Sequence, residues 1–143
     1  MARVKLEIPE LLPFATELEV RVGDVNYGGH LGNDALLGLL HEARIRFLGS
    51  LGYSEIDVEG HGTIMSDAAI VYKAQAFRGD RLRIEVGAMD FSGSGCDVVY
   101  RMTRPADGAT IALAKTGIVV FDYERGRPVR WPAAALAAFG GGE

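Results

Sequence analysis

One helical segment followed by four strand-like runs constrains what this chain can fold into. From about Asp34 to Leu51, apolar residues recur at helical spacing. Four apolar runs of strand character follow at about 63–77, 81–91, 96–104 and 110–122, separated by turn sequences at 78–80, 92–95 and 105–109. A weakly alternating run at 14–22 precedes the helix, and residues 131–139 predict a short terminal helix. This order predicts an α+β domain whose last four strands form an antiparallel meander.

The number of strands exceeds what the long helix can cover. A single helix of about 17 residues covers one face of a five-stranded sheet, and the other face or an edge strand then needs a partner. We therefore expect a homo-oligomer. The 143 residues suffice for one domain with a single core, so residues 1–143 are assigned to one domain.

Composition excludes several classes of protein. The formal net charge of −4 argues against nonspecific nucleic-acid binding. No apolar run is long enough to span a membrane, and the N-terminal segment, with its acidic residues and prolines, does not resemble a secretory signal. The single cysteine, Cys96, excludes an internal disulfide, and the three histidines lack metal-ligand spacing. We expect a cytoplasmic protein without a metal or a separate cofactor.

Polar residues concentrate in the loop that opens the long helix. Gly32 or Asn33 suits the N-cap, and Asp34 would favour the positive end of the helix dipole. Backbone N–H groups at such a terminus, approached past glycines, bind an oxygen that gains negative charge. The residues of this cluster are Asp24, Asn26, Gly28, Gly29, His30, Asn33 and Asp34.

The same residues carry a resemblance to a known family. The matching positions are Asp24, Asn26, Gly29-His30, Asn33, Glu42-Ala43-Arg44, Phe47-Leu48 and Leu51-Gly52-Tyr53, and then Tyr72, Gly79-Asp80 and Leu82. Over about 14–123, this pattern resembles the 4-hydroxybenzoyl-CoA thioesterase-like acyl-CoA thioesterases, which have the hotdog fold. The resemblance implies a long central helix wrapped by a five-stranded antiparallel sheet. It also implies a homodimer, or a homotetramer built from dimers, with active sites at the subunit interface.

The implied reaction is hydrolysis of an acyl-CoA or acyl carrier protein thioester to a free acid and a thiol. Coenzyme A would be part of the substrate. The thioester carbonyl would lie near the start of the helix, where backbone N–H groups around 30–33 stabilise the developing charge. The implied substrate-binding residues are Tyr27, Gly28, Gly29, Leu31, Asp67 and Tyr72, together with Arg78 and Arg81 for the phosphates of coenzyme A.

The sequence departs from the family at the residue that matters most for mechanism. The relatives place a carboxylate where this chain has Asn26, and an amide orients water without accepting its proton. Asp24 and Glu42 are the first candidates for the missing base, and His30 is the next because imidazole accepts a proton near neutral pH. Asp67 is a further candidate, contributed by a partner subunit. Asn33 completes the set of expected catalytic residues.

Other interpretations remain open at this stage. Asp24 suits an Asx-turn that only braces the loop, and Asn33 with Asp34 suits a simple helix cap. Gly23-Asp24-Val25-Asn26 also resembles the R-specific enoyl-CoA hydratases, in which an Asp and a His act as an acid–base pair, although His30 lies one residue late for that motif. A protein that binds acyl thioesters without hydrolysing them is the third possibility. The acyl group, the carrier and the choice between dimer and tetramer stay undetermined.

Overall fold

A computed structural model describes residues 1–142 and confirms the α+β hotdog architecture. One long helix packs against one face of an antiparallel sheet, and a short helix follows near the C-terminus. The helices are α1 (Asn33–Ser50) and α2 (Ala133–Phe139). The strands are β1 (Phe14–Glu19), β2 (Gly62–Tyr72), β3 (Arg81–Met89), β4 (Gly95–Arg104), β5 (Ala109–Asp122) and the two-residue β6 (Arg127–Pro128).

The strand order corrects the expected four-strand meander. The sheet runs β1-β3-β4-β5-β2, so β3, β4 and β5 form a meander while β2 pairs with β5 at the far edge. The predicted strand 63–77 ends at Tyr72, because the next residues leave the edge and cross in front of the helix start. There Ala76 is buried and its carbonyl accepts the Leu31 N–H at 2.8 Å, while Phe77 bridges His30. This crossing separates β2 from β3.

The first strand is also shorter than the expected run at 14–22. β1 ends at Glu19, and the buried Val20 then bonds through its backbone to Gly79 and Asp80 in the β2–β3 connection. Residues Val22–Asp24 turn into a short 3-10 helix that leads into the polar loop. The expected helix boundaries are confirmed: Gly32 is the N-cap of α1, and Gly52, with φ of 84°, follows the C-cap.

The apolar stripe of α1 faces the sheet and forms the centre of the core. Leu36, Leu40, Ala43 and Phe47 are buried there with the inward-facing side chains of β3, β4 and β5. At the C-terminus, Phe139 of α2 packs edge-on against Phe47, with ring centroids 5.9 Å apart. No helix among residues 1–142 is long and apolar enough to cross a membrane.

The opposite face of the sheet carries the N-terminal segment. Arg101, on the outer face of β4, donates hydrogen bonds to the carbonyls of Ile8, Pro9 and Glu10. Gly87 lies under Leu12 and Pro13, where a Cβ atom would come within 2.9 Å of both side chains. The chain therefore covers part of this face with its own first residues.

The second strand has one edge that no other strand of the described chain pairs with. It pairs only with β5, although it is 11 residues long. Ile64 and Met65 on this strand are 40% and 44% exposed. A long edge with exposed apolar side chains is a surface on which another strand readily adds.

Candidate active site

The loop between β1 and α1 begins with Asp24, whose side chain turns back towards Arg21. Its Oδ2 atom accepts the Arg21 backbone N–H at 2.9 Å and lies 3.7 Å from the guanidinium Nε. The Asp24 carbonyl accepts the Gly32 N–H at 2.9 Å, just before α1. Asp24 thus braces both ends of this loop, and its carboxylate forms no contact with His30. The acid–base pair expected of an enoyl-CoA hydratase is not formed here.

Asn26 closes the tight turn that presents His30. Its Oδ1 atom accepts the backbone N–H of Gly28 at 3.0 Å and that of His30 at 3.3 Å. Its own N–H donates to the His30 carbonyl at 2.8 Å, and its carbonyl accepts the Gly29 N–H at 3.0 Å. Gly29 adopts φ of 82°, a left-handed conformation that favours glycine. An acceptor at position 26 and a glycine at 29 therefore fix the position of His30.

The His30 side chain lies between this turn and the segment that crosses the helix start. Its ring contacts Phe77, with centroids 5.4 Å apart and an interplanar angle of 54°. Its Nδ1 atom is buried and has no hydrogen-bond partner among residues 1–142. A buried polar atom without a partner is uncommon and costs free energy, so such atoms occur preferentially at functional sites.

The start of α1 offers two backbone donors. The Leu36 N–H donates to the Gly32 carbonyl, and the Ala35 N–H donates to Asp34 Oδ1 at 2.9 Å. The N–H groups of Asn33 and Asp34 donate to no acceptor within residues 1–142. These are the orphan donors of a helix N-terminus, and they carry its positive dipole.

A cleft of about 360 Å³ opens beside this terminus. Tyr72 closes one side, where its hydroxyl donates to the Asn33 carbonyl at 3.0 Å. Of the expected site residues, the cleft brings together Asn26, His30, Leu31, Asn33 and Tyr72. It adds Leu36, Lys73, Ala74, Gln75, Ala76 and Ile111. None of these described lining residues is a carboxylate, so the cleft of one chain holds His30 as its candidate proton acceptor.

Several expected site residues lie outside the cleft. Glu42 is on another face of α1, where it pairs with Arg46 at 2.8 Å. Arg81 lies 3.7 Å from Glu17 on the neighbouring strand, and Arg78 is exposed in the β2–β3 connection. Tyr27 is fully exposed at the tip of the loop, beside the glycine pair.

Asp67 lies on the outer face of the sheet. Its carboxylate bonds to Lys115 Nζ at 2.8 Å and accepts the Gly117 N–H at 3.0 Å. The hydrogen bond from Lys115 lowers the pKa of the Asp67 carboxyl below its ordinary value. A bulge between Met65 and Asp67 shifts the pairing by one residue, and this turns Asp67 away from the helix side that Met65 faces.

Comparisons with known proteins agree with this architecture. A family model described as the thioesterase-like superfamily matches residues 20–139. A 1,4-dihydroxy-2-naphthoyl-CoA thioesterase from Synechocystis is similar in structure, with a TM-score of 0.81 and 22% identity over 88% of this chain and 94% of that one. A thioesterase from Thermus thermophilus, complexed with coenzyme A and zinc, has a TM-score of 0.76 and 22% identity, over 90% and 98% of the two chains.

A DHNA-CoA thioesterase from Staphylococcus aureus is similar at a TM-score of 0.74 and 19% identity, over 81% of this chain and 78% of that one. No curated protein matches the sequence. At identities of 19% and 22%, the structural likeness establishes the fold.

Proposed function

The chain belongs to the thioesterase-like superfamily, so its general reaction is acyl-CoA thioester hydrolysis, and we propose that this reaction takes place in the cleft at the start of α1. One arrangement carries the proposal. The partnerless N–H groups of Asn33 and Asp34 adjoin a cleft in which His30 has a buried, unpaired Nδ1 atom. This places donors for an oxyanion beside a group that accepts a proton.

The thioester carbonyl oxygen accepts hydrogen bonds from these two backbone groups. They are fixed by the helix before the substrate arrives, so no reorganisation is needed as negative charge develops on the oxygen. Tyr72 supports the position of Asn33 through its hydrogen bond to the Asn33 carbonyl. Loss of one such donor typically lowers the rate by about 10²–10³-fold.

His30 acts as the general base for the attacking water. The imidazole takes a proton as the water oxygen bonds to the carbonyl carbon, and the tetrahedral intermediate forms with its charge on the oxyanion. When the C–S bond breaks, the electron pair leaves on sulfur, and the imidazolium returns the proton to the thiolate. Asn26 positions His30 in this scheme, because its side chain accepts the His30 N–H.

The coenzyme A moiety leaves the cleft over the β2–β3 connection. Lys73 lines the cleft, and the exposed Arg78 follows in the same connection. Ammonium and guanidinium groups are the usual partners of phosphate oxygens. Lys73 and Arg78 are therefore proposed to hold the phosphates of the substrate.

A homodimer through the free edge of β2 completes the proposal. The unpaired backbone groups of this strand and the exposed Ile64 and Met65 support pairing with the same strand of a second copy. Such a dimer extends the sheet across both subunits. Sedimentation of the purified protein tests this state, since a monomer at micromolar concentration contradicts it.

The activity is tested by thiol release from a panel of aliphatic and aromatic acyl-CoA thioesters. We expect release from at least one of them, lowered about 10²-fold in a His30→Gln variant. No release from any member of the panel would contradict hydrolysis and favour a binding protein. Crotonyl-CoA is included because loss of its enoyl absorbance without thiol release would indicate hydration instead.

A further inference from the structure

A second cavity, of about 450 Å³, runs along α1 from the proposed carbonyl site. On the helix it is lined by Asp34, Leu37, Gly38 and His41, which lie on one face because they are spaced by three or four residues. Met65 of β2 forms part of the opposite wall. The groove begins at Asp34, one residue from Asn33 in the first cleft, so the two cavities adjoin the same first turn of the helix.

The far end of this groove carries a polar network. Arg44, which is buried, donates to the Tyr100 hydroxyl at 3.1 Å, and that hydroxyl bonds to Thr116 at 2.6 Å. Arg44 also contacts Glu55 Oε1 at 3.4 Å. The same carboxylate oxygen lies 2.6 Å from Nε2 of His41. The network thus ends on His41, the half-exposed member that borders the groove.

Glu55 determines which hydrogen bond His41 offers to a ligand. In neutral imidazole one ring nitrogen donates and the other accepts, and a carboxylate beside Nε2 places the proton there. Nδ1 is then the acceptor, and it has no partner among residues 1–142. The ring is therefore oriented to accept a hydrogen bond from a hydroxyl group.

The groove is also wider than the fold requires. Gly38 lies inside α1, where alanine would form a better helix, and a Cβ atom at this position would meet nothing within 4 Å. Packing within the chain therefore does not demand glycine here. An open space on the wall of a groove suits a ligand that passes close to the helix backbone.

We propose that this groove holds the acyl group of the substrate and that His41 selects acyl groups with an apolar body and a hydroxyl at the far end. This proposal rests on the proposed function, which places the carbonyl at the N-terminus of α1. Seven residues separate Asp34 from His41, so at 1.5 Å per residue the hydroxyl lies about 10 Å from the carbonyl. Leu37 and Met65 contact the apolar body, and Glu55 is a positioning residue for His41.

The test compares matched thioesters that differ only in the terminal hydroxyl. Octanoyl-CoA and its ω-hydroxy derivative form the aliphatic pair, and 2-naphthoyl-CoA and a ring-hydroxylated derivative form the aromatic pair. We expect kcat/KM to favour the hydroxylated member of at least one pair by about fivefold to tenfold. The pair that shows the preference identifies the shape of the apolar body.

Two variants assign the preference to His41. His41→Leu is expected to abolish the ratio between hydroxylated and plain substrates, while His61→Leu, which changes a histidine in a different cavity, retains it. Circular dichroism verifies that each variant is folded. Equal kcat/KM within both pairs, or a ratio that persists in His41→Leu, overturns the proposal.

Binding measurements separate this inference from the proposed function. Ketone analogues of the same acyl-CoA pairs cannot be hydrolysed, and their Kd values are measured by calorimetry. A preference for the hydroxylated analogue that disappears in His41→Leu supports the groove even if no thioester in the panel is cleaved. Equal Kd values for both members of each pair overturn it, whatever the result of the hydrolysis assay.

Discussion

The side-chain oxygen of Asn26 accepts the backbone N–H of His30 at 3.3 Å, and it accepts the N–H of Gly28 at 3.0 Å. One side chain therefore holds the turn that carries the proposed base. The role needs an acceptor without a negative charge, which explains how the loop keeps its shape with an amide where relatives place a carboxylate. Position 26 thus has a structural task that is separate from proton transfer.

Asn26→Asp is expected to keep the turn and to add a base. One carboxylate oxygen replaces Oδ1 as the acceptor for the two N–H groups, and the other supplies the charge that the lining of the cleft lacks. General-base catalysis contributes about 10²–10⁴-fold, so we expect kcat in the thiol-release assay to rise at least about tenfold.

Asn26→Ala is the matched control for this change. It removes the acceptor, so both activity and thermal stability should fall, by about 1 kcal/mol in the free energy of unfolding. An Asn26→Asp variant that is folded but slower than the wild type would show that the amide N–H₂ group donates to the substrate.

His30→Gln is expected to lower kcat by about 10²-fold with little change in KM. Glutamine keeps a polar side chain in the cleft but does not accept a proton near neutral pH, and the backbone turn stays intact because Asn26 bonds to the main chain. His61→Gln, in another cavity, should leave both constants unchanged. Equal rates for the wild type and His30→Gln would transfer the role of the base to a carboxylate outside the cleft.

The sequence predicts the local features of the fold and misses the strand order. The helical spacing from Asp34, the glycine after its end and the turns between strands are local signals, and each is confirmed. The position of β2 depends on a crossing at 73–77, which is fixed by contacts of Ala76 and Phe77 with the loop before α1. These residues are more than 40 positions apart from the loop, so no local pattern reveals the crossing.

The site shows the same limit at the level of single residues. The loop motif predicts His30 and Asn33, which the structure brings to the cleft together with Asn26. Lys73 and Gln75 enter it only because of the crossing, and a basic residue after a strand gives no signal of its own. Asp67 follows alternation in the sequence, but one inserted residue at the bulge places it on the other face.

Asp67→Asn should lower stability at neutral pH and have no effect in acid. The pKa of the folded carboxyl lies below its unfolded value near 3.9, so its contribution is fully present above about pH 4 and is lost as the pH falls through the folded pKa. The side chain is 59% exposed, which limits the effect to less than about 1 kcal/mol.

Thermal unfolding at pH 7 and pH 2 measures this dependence on Asp67. Glu124→Gln serves as the control, because it removes an exposed carboxylate that has no ion pair in the described part of the chain. A Tm difference between wild type and Asp67→Asn that is as large at pH 2 as at pH 7 would contradict the ion pair with Lys115 as its cause.

Cys96 should not react with thiol reagents while the protein is folded. Burial raises the pKa of its thiol to about 12, with a smaller contribution from Asp97, so almost no thiolate is present at pH 8. A chromogenic disulfide reagent is expected to detect one thiol per chain only after denaturation. Rapid labelling of the native protein would instead show that β4 opens locally. This cysteine therefore contributes no background to the thiol-release assay.

Gly38→Ala and Gly49→Ala separate the needs of the helix from the needs of the groove. Both glycines lie in α1, and a Cβ atom at either would meet nothing within 4 Å. Alanine should therefore stabilise each variant, by up to about 1 kcal/mol, as measured by urea denaturation.

The two variants should differ in activity. Gly38 lines the groove and Gly49 does not, so a methyl group at 38 narrows the proposed path of the acyl group while one at 49 lies far from it. We expect Gly38→Ala to lower kcat/KM for the preferred long-chain thioester several-fold and to affect acetyl-CoA less, because a short acyl group ends before residue 38. Gly49→Ala should gain stability with unchanged kinetics. A uniform loss across acyl lengths in Gly38→Ala would place its effect at the carbonyl site, and equal kinetics in both variants would show that the acyl group takes another path.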